Sequence, residues 1–162
     1  MARIGRSFPV PIRFTPKLGA TTCALSGTIS GATEADIVTG GKTIILVLTG
    51  DTWVAAGATF NAQRQNIING LTSAQSEGTG WNAVVKAGMA VTDVVRTDNL
   101  TVTITLEAFG TYNITANETI TVTVPATALV RNTAVIANPT FTVTAAGAAV
   151  VMPPWLFETM VA

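Results

Sequence analysis

Residues 99–109 read NLTVTITLEAF and alternate without a break: Leu100, Val102, Ile104 and Leu106 fall on one side, Thr101, Thr103, Thr105 and Glu107 on the other. A period of two is that of a strand, and an apolar row backed by a polar row is a strand with one face in a core and one in water. ETITVTVP, residues 118–125, repeats the pattern with Ile120, Val122 and Val124, and stops at Pro125, which has no amide to give a ladder. PTFTVTA, residues 139–145, adds Phe141 and Val143. Upstream, KTIILVLTGDTW, residues 42–53, holds the continuous apolar run Ile44 to Leu48, the pattern of a fully buried core strand, followed by a turn at Gly50-Asp51. TTCALSGTISG, residues 21–31, supplies one or two further short strands.

Two stretches break this rhythm. Phe60, Ile67 and Leu71 fall near one helical stripe, with Thr59 or Asn61 as the expected cap and Gly70 near the end. Trp81, Val84 and Val85 share i, i+3, i+4 spacing ahead of Gly88, which predicts a second short helical turn. Several short strands plus these insertions predict a mainly β chain: a two-sheet sandwich over residues 21–146 with one or two short helices in its connections. Composition agrees, since 28 residues are threonine, 48% of the chain is hydrophobic and only 11% is charged.

The residue inventory narrows the chemistry. There is no histidine, which removes the commonest general base, the usual nucleophile pairings and the commonest imidazole metal ligand. The single cysteine, Cys23, can make neither an internal disulfide nor a cysteine-based zinc site, and is expected as a small buried residue. TGGKT, residues 39–43, resembles the end of a phosphate-binding loop, but Asp36 stands where the pattern needs its first glycine, and a strand follows where a helix should. The nearest carboxylate pairs, Glu34 with Asp36 and Asp93 with Asp98, are too sparse for a calcium loop and are expected as solvated acids at strand ends. No enzyme, cofactor or metal is therefore expected. Trp53 and Trp81 are the candidate sugar-stacking pair, set against the commoner role of isolated tryptophans as core filling. No membrane span and no secretion signal are read, and the Asn-x-Thr triplets at 99, 113 and 117 are expected to be chance products of threonine-rich strands.

Charge is unevenly placed. Residues 1–20, MARIGRSFPVPIRFTPKLGA, carry Arg3, Arg6, Arg13 and Lys17 and no acid, whereas the remaining residues hold five basic and nine acidic side chains. Pro9, Pro11 and Pro16 push this segment toward an extended conformation, and Phe8, Ile12, Phe14 and Leu18 set apolar groups between the charges. The segment lacks the dense basic clusters of a nucleic-acid tail; it suits an extended arm laid along a protein surface, with Arg3, Arg6, Phe8, Arg13, Phe14 and Lys17 as docking residues. The apolar, proline-broken residues 147–162, with Trp155 and Phe157, either close the domain's own core or dock on a neighbour.

Taken together, ATEADIVTGGKTIILVLTGDTWVA, the segment RQNIINGLTSAQSEGTGWNAVVKAGMAVTDVVRTDNLTVTITL and YNITANETITVTVPATALV resemble the bacterial-type immunoglobulin-like domains of structural proteins in tailed bacteriophages. The resemblance spans residues from about Ala32 to Ala145 and is most specific at ITANETITVTVPATAL. It implies an Ig-like β-sandwich and a place in a virion. With the arm added, the chain is similar to head decoration or cement proteins, which implies docking on the major capsid protein at the outer capsid surface, assembly as a homo-oligomer with a trimer plausible by analogy, and synthesis in the host cytoplasm. No direct nucleic-acid partner and no membrane partner are implied. The alternatives are a tail or neck structural protein, or an Ig-like module binding host-surface glycans through Trp53 or Trp81.

Overall fold

The computed structural model describes residues 19–147. The arm residues Arg3, Arg6, Phe8, Arg13, Phe14 and Lys17, and the tail residues Trp155 and Phe157, lie outside the described residues.

Among the described residues, seven strands form two antiparallel sheets. The first contains β1 (Thr22–Ser26), β2 (Thr43–Thr49), β4 (Val94–Arg96) and β5 (Thr101–Thr105) in the order β1-β2-β5-β4; the second contains β3 (Leu71–Ser73), β6 (Glu118–Val122) and β7 (Thr140–Val143) in the order β3-β6-β7. The registers align the apolar rows: Leu46 of β2 sits between Leu25 and Val102, and Ile104 between Ile44 and Val94. In the second sheet Ile120 lies between Ser73 and Phe141, and Val122 faces Leu71. The inward rows of both sheets meet in one continuous hydrophobic cluster. The outward rows are largely threonine, cross-linked by hydroxyl pairs such as Thr119–Thr142 at 3.2 Å and Thr97–Thr103 at 3.0 Å.

The alternation at residues 99–109 holds from Val102 through Leu106, but Leu100 is exposed rather than inward. The cause is local. The Asp98 carboxylate accepts from the amides of Leu100 and Thr101, fixing a turn that delays the strand to Thr101. The run Ile44–Leu48 is likewise covered on one side only: Ile44, Leu46 and Leu48 are buried, while Ile45 and Val47 lie half-buried on the outer face.

The expected helix near residues 60–71 is two helices, α2 (Ala58–Asn61) and α3 (Arg64–Asn69). Thr59 and Asn61 are inside α2 and cap nothing; the N-cap is Gly57 with φ 86° and no side-chain bond. Phe60, Ile67 and Ile68 are buried, and Leu71 opens β3 instead of closing a helix. At Gly70 the chain passes so close to the Thr123 carbonyl that any Cβ would collide with it. Trp81–Val85 forms a π-helical turn continuing into α4 (Lys86–Gly88), close to the expected position.

One α-helix among the described residues was not expected. Helix α1 (Glu34–Thr39) is started by a reciprocal cap in which the Thr33 hydroxyl accepts from the Asp36 amide while Asp36 Oδ2 accepts from the Thr33 amide at 2.9 Å. Asp36 also pairs with Lys42 at 3.0 Å. The Thr33 amide and the Lys42 ammonium hold the Asp36 carboxyl well below the usual carboxylate range, at about 2. Because the folded value is depressed, its contribution to stability is complete above the unfolded value of about 3.9 and fades as pH falls toward about 2. Asp36→Asn is therefore expected to melt lower than the parent at neutral pH, with the two melting temperatures converging between about pH 4 and 2. A constant gap across that range would remove the cap and its ion pair as the source.

Candidate docking surface

The sequence candidates for chemistry are occupied by the fold. Trp53 is buried, donates its indole N–H to the Leu100 carbonyl at 2.9 Å, and meets Phe60 edge-on with ring centroids 6.4 Å apart. Trp81 is also buried, donates to the Leu71 carbonyl at 3.2 Å and packs edge-on against Phe141 at 5.3 Å. The sugar-stacking pair is thus corrected: stacking needs an exposed ring face, and both indoles are enclosed with their single donors used internally.

The acids serve as local ties. Besides the turn at Asp98 and the cap at Asp36, Asp93 accepts from the Ala90 amide at 2.9 Å, and Glu34 Oε2 accepts from the Ala146 amide at 3.2 Å. Asp51, nearly buried, accepts from Thr52 N at 2.8 Å and from Arg131 N at 3.3 Å. The phosphate-loop likeness at TGGKT is taken up in the same way. Gly40 N donates to the Asp36 carbonyl, Gly41 N to the Leu106 carbonyl, and the Lys42 ammonium pairs with Asp36. Among the described residues no group of three or more His, Cys, Asp or Glu side chains is placed to hold a metal.

Sequence reasoning passed over the most deeply buried acid among the described residues. Glu118, at the start of β6, is almost wholly buried; its Oε2 accepts from the Trp81 amide and from the Tyr112 hydroxyl, each at 2.9 Å. Its Oε1 lies against Gly80 and has no partner among the described residues. Burial first, and then the Glu118 carboxylate, push the Tyr112 hydroxyl far above its usual pKa. The only available signal was an acid opening an otherwise alternating strand.

Two grooves lie along β1, one at Gly19 just before the strand and one beside the strand itself. Arg131 donates to the Gly19 carbonyl at 2.9 Å and also to the Gly50 carbonyl, so this point is pinned. A groove of about 560 Å³ runs here past Ala20, Thr21, Ala134 and Ile136, and Ile136 is 67% exposed. The second groove, of about 460 Å³, lies between β1 and β7, the strands at the open edges of their sheets. Cys23 and Leu25 form one wall, Pro139 and Phe141 the other, with Gly31 and Thr144 toward one end. Burial raises the Cys23 thiol to about 11, so it is a neutral, apolar part of that wall.

Both ends of this groove are bridged by backbone. Ile136 N donates to the Thr21 carbonyl at 3.0 Å at one end, and Thr33 bridges Thr144 at the other, where Glu34 N donates to the Thr144 carbonyl and Thr144 N to the Ala32 carbonyl. Between these bridges the outer edges of β1 and β7 lie side by side, with no further backbone bond to either among the described residues. Compared with known proteins, the chain matches no family model, no curated protein and no solved structure. No helix among the described residues is long and apolar enough to cross a membrane.

Proposed function

We propose that this chain is an Ig-like structural protein of a tailed-phage virion, and within that class a decoration protein that docks on the major capsid protein and braces the outer capsid surface. The observation that supports the Ig-like part of the reading is the strand order, while the capsid part rests on the sequence resemblance and on the cationic residues 1–20. β1-β2-β5-β4 against β3-β6-β7, all antiparallel, is the A-B-E-D against C-F-G order of a constant-type immunoglobulin sandwich. Tyr112 lies in the β5–β6 connection, where such sandwiches carry a hydroxyl-bonded tyrosine, although here the hydroxyl donates to the Glu118 side chain instead of upstream backbone.

A role in assembly suits the rest of the chain. The acids described above are committed to caps, turns and core ties, while the sequence places four cations in residues 1–20 without a counter-charge among them. Arg forks on that segment meet carboxylates of a partner, and apolar tail residues such as Trp155 and Phe157 supply buried area. Spread over several subunits, buried apolar surface opposes lattice rupture when packaged genome presses outward. A trimer about a local three-fold axis is the expected assembly on such a lattice. Burial of Trp53 and Trp81 weighs against the glycan-binding alternative.

The test is sedimentation of purified protein with capsid shells assembled without it, at low and high salt. Saturable binding is expected, weakened by Arg3→Glu with Arg6→Glu and by salt, since exposed charge pairs are screened. Absence of binding to shells overturns the capsid reading, and saturable binding to tails instead would move the chain to the tail or neck.

A further inference from the structure

We infer that residues 8–14 of this chain, FPVPIRF, pair with the outer edge of β1 as an added strand, filling the groove between β1 and β7 of their own molecule. The inference goes beyond the capsid reading and does not depend on it.

The outer edge of β1 can be oriented from two facts. The Thr21 carbonyl points away from β2, because Ile136 N donates to it from outside. Along an antiparallel pair the backbone groups of successive residues alternate between the two edges, so Cys23 and Leu25 turn their amides and carbonyls outward as Thr21 does. Among the described residues no other backbone group bonds to them. Their side chains point inward and line the groove. An added strand must therefore match a particular pattern at this edge. Residues whose side chains point inward must be apolar and must keep their amides, because those are the residues that face Cys23 and Leu25.

FPVPIRF has that pattern. In extended backbone Phe8, Val10, Ile12 and Phe14 share one face, and each of them has an amide on the edge that would meet β1. Pro9, Pro11 and Arg13 share the other face, and the two prolines take donors from the far edge only. A strand with one competent edge and one lacking donors ends a sheet instead of recruiting another strand, which is how natural sheets protect an open edge.

The occupant is the molecule's own segment because of where that segment joins the body. Arg131 holds Gly19 at the start of β1. If Ile12 lies opposite Leu25 with Phe14 opposite Cys23, or one step along with Ile12 opposite Cys23, the reversal takes about eight to ten residues, a loop length that compact domains allow. A tether that short gives an effective concentration of order mM, above what a second copy in dilute solution supplies. Arg3 and Arg6 precede the strand and remain available to a partner.

Amide hydrogen exchange on the full chain in the absence of shells tests this. The amides of Cys23 and Leu25 are expected to be protected, at a level independent of protein concentration. Ile12→Pro removes an amide that faces β1 in both registers, and should lower their protection by about fivefold, the factor for one hydrogen bond of ordinary net strength. Arg13→Pro removes an amide from the far edge and should leave protection in place. Free exchange of both amides in the parent chain, or equal loss with the two proline variants, overturns the pairing. Protection that rises with concentration overturns the intramolecular assignment in favour of strand exchange between copies. Shell binding by the Arg3/Arg6 variants reads the capsid proposal separately.

Discussion

Trp81→Ala is expected to lower the unfolding free energy by about 3–5 kcal/mol, the range for deleting a large buried aromatic. The indole does two things at once. It fills the space between the Trp81–Val85 turn and β7 by packing edge-on to Phe141, and it donates to the Leu71 carbonyl at the start of β3, while the backbone amide of the same residue, which the variant keeps, donates to buried Glu118. Truncation empties the first contact and leaves the Leu71 carbonyl without this donor in a dry environment. Chemical denaturation of parent and variant measures the difference through the midpoint at unchanged slope. Thr142→Ala, on the outward face of β7, is the comparison and should cost under about 1 kcal/mol. If Trp81→Ala costs no more than Thr142→Ala, the ring is not a core element, and its exclusion from glycan stacking fails with it.

That experiment also marks where sequence reading was informative. Strands β5, β6 and β7 were readable because one wet face makes the period of two visible, and the threonines of that face are themselves strand formers. Strands β3 and β4 were not, since three residues each carry too little periodicity to stand out. Helix α1 was hidden behind a phosphate-loop likeness, although Thr33 with Asp36 carried a capping signal three residues apart. Leu100 obeyed the alternation in sequence but not in space, because the Asp98 side chain competes for the backbone at that point. Of the candidate site, the arm and the tryptophans could be singled out by type. Arg131 pinning Gly19 across 112 residues, and the open edges of β1 and β7 lying side by side, depend on how two sheets pack and leave no local trace.

The second large effect is expected at Glu118, where a local rule is broken: an acid is buried at a strand start with only one oxygen bonded among the described residues. Glu118→Ala strips the acceptor from two buried donors, the Trp81 amide and the Tyr112 hydroxyl. At about 1–3 kcal/mol for each of the two groups left unsatisfied, the loss should reach about 2–6 kcal/mol. Glu118→Gln keeps one acceptor oxygen and should lose less. Tyr112→Phe removes one donor together with its need for a partner, so combining it with Glu118→Ala should cost less than the sum of the two single changes. The pair also sets an alkaline limit. The folded Tyr112 hydroxyl is raised above its usual value, so its contribution is complete below the unfolded pKa of about 10 and declines as pH climbs beyond it, where the unfolded chain sheds that proton more readily. In denaturation series run upward from neutral pH, the parent should lose stability above about pH 10 faster than Tyr112→Phe. Parallel alkaline limbs together with strict additivity of the two substitutions would mean that Glu118 and Tyr112 do not share a buried hydrogen bond, and the tie between the β5–β6 connection and the Trp81 turn would have to be sought elsewhere.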